Sequence, residues 1–164
     1  NGPEAIKIAN EREIVARQRQ FGWDLLLNEH RVVRRGADSI VIAGTENDGR
    51  PPFPSRADLS KALKGVGKGT FVVLLQHDPS AWERNILPHS HVQLTLSGHT
   101  HGGQISLFGL RPTIISFKQD KGLYTQGQRS LFVSSGLGGV VPFRFGVPPE
   151  VVVITLRRGK VAEK

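Results

Sequence analysis

The sequence predicts a mixed α/β or α+β domain. Three features support this prediction: a long N-terminal segment rich in helix-forming residues, several short apolar and β-branched segments, and Gly- and Pro-rich turns between them. The chain has 164 residues, which is enough for one ordinary domain with its own core. Apolar residues make up 38% and charged residues 22% of the chain, which is typical of a globular rather than a disordered protein.

The first third of the chain predicts one helix followed by short strands. Residues 4–21 contain no Gly or Pro, and Gly22 ends the predicted helix. Strands are predicted at 25–27, 31–34 and 39–43, with a turn at "RRGAD". Residues 45–56 are dense in Gly, Pro, Asn and Asp, and they predict a loop.

The rest of the chain predicts a short helix, a helix start and the main strands. Asp58 is a suitable N-cap for a helix that Gly65 ends, and Asp78 before Pro79 marks a further helix start. Residues 70–76, "TFVVLLQ", form a continuous apolar run that predicts a strand buried on both faces. The other predicted strands are 91–97, with Val92, Leu94 and Leu96 on one side, the hairpin 122–126 and 130–134, and a last buried strand at 151–156.

Composition excludes several kinds of site. The chain has no cysteine, which excludes disulfides, thiolate metal sites and cysteine nucleophiles. Its apolar runs are far shorter than the roughly 18 residues that span a bilayer, and no segment resembles a signal peptide. The formal charge is +8, but the basic residues are scattered. The charge therefore gives weak support for an anionic substrate and argues against a dedicated nucleic-acid-binding protein.

Histidines follow two of the predicted strands. His77 comes directly after strand 70–76, and His99 follows strand 91–97 after Gly98. If the two strands are parallel neighbours, both side chains lie at the edge where open α/β sheets place their binding sites. His101 lies two residues beyond His99, which puts both rings on one side of an extended backbone. Imidazole binds zinc, manganese, iron and similar ions, so these three histidines are predicted metal ligands.

The other histidines are predicted to have no such role. His89 and His91 are expected in a surface loop, and His30 on an exposed strand position. The pair at 99 and 101 differs from them because glycines at 98, 102 and 103 permit positive φ and close backbone approach. No carboxylate is obviously placed to complete the site, which leaves a three-histidine zinc site possible.

Two motifs resemble a known family. "SGHTHGGQI" at 97–105, following "LLQHDPSAW" at 74–82, resembles the C-terminal half of calcineurin-like metallophosphoesterases, in particular a branch of bacterial membrane-associated or exported enzymes. The segments "GWDLLLNEHRVV", "IVIAGTENDG", "RADLSKALKG" and "SGLGG" are similar too, so the resemblance covers nearly all of residues 1–164 as a single domain. It implies the C-terminal part of a four-layer α-β-β-α sandwich.

The resemblance implies a phosphoester hydrolase in which two divalent metal ions (manganese, zinc or iron) activate water for attack on phosphorus. His77 and His99 would bind the second metal, and His101 the first. The family's other ligand blocks, Asp-x-His, Gly-Asp-x-x-Asp and Gly-Asn-His-Asp/Glu, are not found in the sequence. Asn1 is therefore expected to begin just after the third block of a longer protein. The chain alone is expected to be nearly inactive, with no catalytic residue besides the metal ligands.

The resemblance also implies a substrate and partners. The substrate would be a phosphomonoester, a phosphodiester or a lipid-linked pyrophosphate, bound on a side walled by loops 45–56, 105–121 and 136–149. Four cations of these loops could contact phosphate: Arg111, Lys118, Lys121 and Arg144. One expected partner is the missing N-terminal half of the domain, which would cover apolar sheet surface. Without that half the surface would be exposed, so a second copy of the chain is the other expected partner. The fragment is expected to be soluble and its parent protein to be membrane-associated or exported.

Two other interpretations remain open at this point. One is a non-catalytic basic module that binds an anionic polymer or a partner protein, which a salt-dependent nucleic-acid affinity without bound metal would favour. The other is a mononuclear zinc hydrolase with three histidine ligands. Tight binding of one equivalent of zinc, lost in His77→Ala, would favour the latter.

Overall fold

A six-stranded mixed sheet organises the described residues. The computed structural model describes residues 4–51 and 53–159. The helices are α1 (Glu4–Gln20), α2 (Leu59–Ala62) and α3 (Leu87–His89), the last preceded by a π-helical turn at Trp82–Ile86. The strands are β1 (Glu29–Arg35), β2 (Asp38–Gly44), β3 (Val72–Leu75), β4 (Leu94–Ser97), β5 (Gly122–Gln126) and β6 (Arg129–Val133).

The strand order is β1-β2-β3-β4-β6-β5. The four inner strands β2, β3, β4 and β6 are parallel, and β1 and β5 pair antiparallel at the two edges. The predicted α/β class is confirmed, and so are the first helix, the turn at "RRGAD" between two strands, the hairpin within residues 122–134, and the helix that Asp58 caps through the backbone N–H of Lys61. The residues described here form one sheet, so the second sheet of the four-layer sandwich stays a prediction.

The core lies mostly under the parallel strands. β3 is buried at its first three positions, as its continuous apolar run predicts. The aromatic ring of Trp82 and the side chain of Ile86, both from the π-helical turn, pack against this sheet. The other buried members of the cluster come from β2, β3, β6 and the segments beside them: Val41, Ala43, Val72, Leu74, Ala81, Val92, Leu131 and Val133.

The buried side chains of strand β4 are polar. Thr95 and Ser97 are buried, whereas Leu94 and Leu96 are only half-buried. β4 lies between β3 and β6 in the middle of the sheet, so both of its faces are partly covered and apolar alternation no longer marks the buried side. The buried hydroxyl of Ser97 donates to the backbone oxygen of Gln76 at 2.6 Å.

Two predicted strands are wrong. Residues 25–27 have no strand structure, and neither do residues 151–156. The latter are also exposed rather than buried, with 88% of Val153 accessible to solvent. A run of β-branched residues reveals strand propensity, but a strand also needs a partner with free hydrogen-bonding groups. In the part of the chain that is described, neither sheet edge pairs with these segments.

Arg129 closes the helical segment before β4. Its guanidinium donates to the backbone oxygens of Ile86 (2.8 Å), Leu87 (2.6 Å) and Val92 (2.9 Å), and to the hydroxyl of Ser90 (3.2 Å). Burial lowers the pKa of Arg129, and none of the described acids forms an ion pair with it. The cation instead satisfies carbonyl groups that the helix end would leave without partners.

Replacing Arg129 with methionine should lower the free energy of unfolding by about 2 kcal/mol, because several part-buried carbonyl groups lose a charged donor. The check is the midpoint of urea unfolding at an unchanged m-value. Arg34→Met on the exposed strand β1 is the matched control, and it should change the stability by less than about 0.5 kcal/mol. Equal effects of the two variants would contradict this role.

Candidate metal centre

The carboxyl ends of the parallel strands lie at one edge of the sheet, and two of the predicted ligands follow them. β3 and β4 are direct neighbours, with Leu75 opposite Leu96. His77 lies two residues beyond the end of β3, and His99 lies two residues beyond the end of β4. The backbone N–H of Gly98 donates to the backbone oxygen of His77 at 3.1 Å. The sheet therefore places these two histidines side by side.

The two imidazole rings meet nearly edge to face. Nδ1 of His99 lies 3.3 Å from Nε2 of His77, with the rings at 83° to each other. Two imidazole nitrogens on one tetrahedral zinc ion, each at about 2.0–2.1 Å from it, are about 3.3–3.4 Å apart. The separation of the two nitrogens thus matches that of two ligands on one metal ion, and in the absence of an ion it also allows a long hydrogen bond between the two rings.

The surroundings of His77 lower the pKa of its imidazole, although the side chain is partly exposed. Desolvation by the surrounding protein lowers its pKa, and the neighbouring His99 and His101 lower it further, while Asp78 opposes the shift. A histidine must be neutral to bind a metal ion through its ring nitrogen. The electrostatics of the site therefore favour the form of His77 that can serve as a ligand.

Aromatic side chains fix the orientation of His99. The rings of Phe53 and Phe117 lie against it at centroid distances of 5.5 and 5.3 Å, both in edge-to-face geometry. With His77, three rings contact this imidazole. Such contacts restrict the rotation of the ring and reduce the access of water to it.

The loop after β4 turns in a way that the sequence does not reveal. His99, His101 and Gln104 all have positive φ, at 69°, 52° and 57°, and a 3₁₀ turn covers His101–Gly103. The prediction that His99 and His101 point the same way assumed extended backbone, and this assumption is wrong here. No group of three or more potential ligands comes together within the described ranges. His101 is half-buried and near enough to lower the pKa of His77.

Gln104 fixes the loop that carries His99 and His101, which we call the histidine loop, to a second loop that contains Val141 and Phe143. The sequence did not mark Gln104 as a functional residue. Its side-chain amide donates to the backbone oxygens of Val141 (2.8 Å) and Phe143 (2.7 Å), and its side-chain oxygen accepts from the backbone N–H groups of Val140 and Val141. The side chain is buried. The available signal was its place directly after the two glycines of the motif, where a buried amide can replace missing backbone partners.

Asp120 supports the same loop through a hydrogen bond with Thr100. The sequence did not mark this residue as functional either. Its carboxylate is buried and accepts two hydrogen bonds from Arg111, at 2.6 and 3.0 Å, and one from Thr113 at 3.1 Å. Its backbone oxygen accepts from the hydroxyl of Thr100, between the two histidines, at 2.5 Å. Burial works to raise the pKa of Asp120, but the bonds from Arg111 and Thr113 outweigh it and hold this pKa below its usual value.

The cations predicted to contact phosphate all have partners within the protein. Arg111 pairs with Asp120, Lys118 with Glu83 at 2.6 Å, and Lys121 with Glu150 at 3.5 Å. The guanidinium of Arg144 donates to backbone oxygens of the loops around the site: His101, Ser135, Gly136, Gly138 and Val147. Their contact with a substrate stays a prediction.

Loops 45–56 and 105–121 both line one cavity beside the histidine pair. It has a volume of about 570 Å³ and is bounded by Arg50 of the first loop and Phe117 of the second. Phe117 also contacts His99, so the cavity adjoins the candidate site. Arg84 and Ser80 form part of its floor.

The remaining histidines lie elsewhere, and two are less exposed than predicted. His30 is half-buried, and its Nδ1 lies 2.8 Å from the backbone oxygen of Ala62, which ties β1 to α2. His91 is half-buried as well. His89 is exposed, as expected, with its Nδ1 3.1 Å from the backbone oxygen of Asn85. The burial of these histidines depends on the geometry of the turns and on the packing of α2. Neither can be predicted from the spacing of the residues in the sequence.

Comparison with known proteins identifies several curated relatives. The chain is 35% identical over 122 residues to an uncharacterized metallophosphoesterase of Aquifex aeolicus, covering 72% of this chain and 46% of the relative. It is 36% identical over 104 residues to the uncharacterized metallophosphoesterase YkuE of Bacillus subtilis (61% and 36% covered). It is 32% identical over 149 residues to a zebrafish transmembrane protein with metallophosphoesterase domain (84% and 33% covered).

The chain thus spans less than half the length of each of these relatives. No family model matches the chain. No solved structure matches it either. Within the described residues, no helix combines the length and apolar character needed to cross a membrane.

Proposed function

Because this chain belongs to the metallophosphoesterase family, we propose that it forms part of the active site of a phosphoester hydrolase that depends on divalent metal ions. The observation that carries the proposal is the 3.3 Å separation of the His77 and His99 ring nitrogens at the carboxyl edge of the sheet. Two imidazoles that lie side by side at a strand edge are the ligand type and placement that such an ion requires.

In this proposal His77 and His99 hold one ion, and His101 contributes to a second ion beside it. When bound, the ions polarise a phosphoryl oxygen and lower the pKa of water, which supplies a nucleophile at neutral pH. The carboxylate ligands come from sequence N-terminal to Asn1, so that the chain forms the C-terminal part of the domain. This accounts for the family relationship and for the small ligand set of the described residues.

The other residues of the site have supporting tasks. Phe53 and Phe117 keep the His99 ring in one orientation and limit the access of water to it. Gln104 and Asp120 hold the loop that carries His99 and His101 in its turned conformation. A ligand held by packing and hydrogen bonds loses less entropy when it binds, which raises the affinity for the ion.

The substrate is a phosphate ester that lies in the cavity between loops 45–56 and 105–121, with its reacting phosphorus near the histidine pair. Arg50 and Lys118 line this cavity, and Lys118 would meet negative charge only by leaving Glu83, which lines the cavity as well. Lys121 and Arg144 contribute only if they leave the partners they have here. The parent protein is associated with a membrane, which is the arrangement that the name of the zebrafish relative describes for that protein.

The test uses the protein extended N-terminally to the length of its relatives. Hydrolysis of p-nitrophenyl phosphate and of bis-p-nitrophenyl phosphate should be lost after treatment with a chelator and restored by manganese, zinc or iron. Comparison of the two substrates separates monoesterase from diesterase activity. The 164-residue chain alone should be nearly inactive. Hydrolysis that the chelator leaves unchanged, or a chain as active as the extended protein, would contradict the proposal.

A further inference from the structure

Three consecutive residues of the π-helical turn bind the two loops that lie against His99. Glu83 accepts hydrogen bonds from loop 105–121, and the next two residues donate to loop 45–56. These are the loops that carry the two phenylalanine rings in contact with His99. π-Helical turns are rare and are often found at functional sites. The turn is therefore connected to the candidate metal centre through both loops.

Asp48 is the residue of loop 45–56 that receives the bonds from this turn. Its carboxylate accepts from Nη2 of Arg84 at 2.9 Å and from Nδ2 of Asn85 at 2.5 Å, and its backbone oxygen accepts from Arg84 at 2.7 Å. The hydroxyl of Ser55 donates to the same carboxylate at 3.0 Å. Asp48 is only 5% exposed. A buried carboxylate with donors on both oxygens holds its partners in a fixed geometry.

The tip of loop 45–56 depends on Asp48 for its attachment. Residues 48–51 and 53–55, which we call the loop tip, are closely packed: the backbone N–H of Gly49 donates to the backbone oxygen of Pro54 at 3.1 Å, and a Cβ on Gly49 would lie 2.6 Å from Cβ of Phe53. Within the described ranges, the hydrogen bonds that join the loop tip to segments outside loop 45–56 come from the π-helical turn. They all end on Asp48.

Phe53 needs this attachment because its own packing is limited. Its side chain is 53% exposed, and its ring meets the imidazole of His99 edge to face at 5.5 Å between centroids. A half-exposed ring gains little from burial, and one edge-to-face contact is weak. The position of the ring therefore follows from the backbone of the loop tip, which Asp48 fixes.

We propose that Asp48 is a positioning residue for the candidate metal centre: bound by the π-helical turn, it keeps Phe53 against His99 and so fixes the orientation of a metal ligand. Groups that orient a ligand raise the affinity for the metal without touching the ion. The inference rests on the proposed function of His99 as a ligand. The ring contact itself forms without metal, so it can be measured separately.

The first measurement follows the ring contacts by NMR in the metal-free 164-residue chain. Nuclear Overhauser effects between the rings of Phe53 and His99 should be present in the original chain and lost in Asp48→Ala, because the loop tip is released. Those between Phe117 and His99 should remain in the same variant, since loop 105–121 is attached to the π-helical turn through Glu83 instead.

Two further variants complete this measurement. Asn85→Ala removes one hydrogen bond to Asp48 and leaves the ion pair with Arg84, so the fold should be kept and the contact between Phe53 and His99 should weaken rather than disappear. The matched control is Asp24→Ala, which removes an exposed carboxylate that also pairs with an arginine, on β1 rather than in the π-helical turn. It should leave both ring contacts unchanged.

The second measurement is the zinc affinity of the same chains. Asp48→Ala should bind zinc about tenfold more weakly than the original chain, which is the lower end of the effects seen when a group that orients a ligand is removed. The double variant Asp48→Ala, Phe53→Ala should bind zinc as Phe53→Ala does, because Asp48 acts through Phe53. A purely structural role would instead add its effect to that of Phe53→Ala.

Three results would overturn the proposal: a contact between Phe53 and His99 that persists in Asp48→Ala, an unchanged zinc affinity when that contact is lost, or additive effects in the double variant. If Asp48→Ala does not fold, Asn85→Ala decides by the same two measurements, and an unchanged contact in it would count against the proposal. Loss of the contact in Asp48→Ala, with no zinc binding by the original chain, would support the positioning of Phe53 and contradict the proposed function.

Discussion

Replacing His99 with alanine should reduce metal-dependent hydrolysis by the extended protein about a thousandfold. The variant removes one of two imidazoles that converge at 3.3 Å, and an ion held by one fewer ligand at this edge is displaced or lost. A thousandfold loss corresponds to about 4 kcal/mol of transition-state stabilisation, which is within the range that a catalytic metal ion supplies. The measurement is kcat/KM at saturating metal, together with metal content after dialysis.

The control for this variant is His89→Ala. His89 is exposed on the helical segment before β4, and its removal should change kcat/KM less than about twofold. Thermal unfolding of both variants shows whether the fold is intact, because His99 also contacts Phe53 and Phe117. Full activity and full metal content in His99→Ala would refute a ligand role for this residue.

Replacing Asp120 with alanine should lower the free energy of unfolding by about 3 kcal/mol. The variant leaves the guanidinium of Arg111, which is only 25% exposed, without its carboxylate partner, and removal of one member of such a pair is strongly destabilising. The hydrogen bonds from Thr113 and Tyr124 are lost as well. Urea unfolding near neutral pH measures the difference. A double variant with Arg111→Met should lose less than the sum of the single variants, because no unpaired cation remains.

The effect of Asp120→Ala should depend on pH in one direction. The pKa of Asp120 is lower in the folded chain than its value of about 3.9 in unfolded peptides, so its ionised form stabilises the fold. This stabilisation is complete above the unfolded value and disappears as the pH falls through the folded value. The difference between the original chain and the variant should therefore shrink below about pH 4. A difference that stays constant down to about pH 2 would show that the carboxylate charge is not responsible.

Local chemistry made much of the fold predictable. The absence of Gly and Pro before Gly22 identified α1, the turn at "RRGAD" identified the β1–β2 hairpin, and the apolar run of β3 identified a buried strand. These are properties of contiguous residues, in which side-chain chemistry acts within a few positions. The two strand-end histidines were found in the same way, because strand ends can be read from the sequence and parallel neighbours bring them together.

The errors concern contacts between distant segments. Residues 151–156 have the composition of a strand, but pairing depends on a free sheet edge that the sequence does not disclose. The geometry of the histidine pair 99–101 depends on positive φ at two non-glycine residues, which the bonds of Gln104 to Val141 and of Thr100 to Asp120 maintain. Such support is built from hydrogen bonds over long sequence separations, and no local pattern records it.

The central claim is that His77 and His99 form one binding site for a metal ion. A zinc titration of the chain, followed by NMR of the imidazole nitrogens, tests it most directly, because the six histidines serve as controls for one another. The signals of His77 and His99 should move together, with His101 affected next, while those of His30 and His89 stay unchanged. Zinc that moves the signals of His89 and His91 instead, or that leaves His77 and His99 unaffected, would contradict the claim.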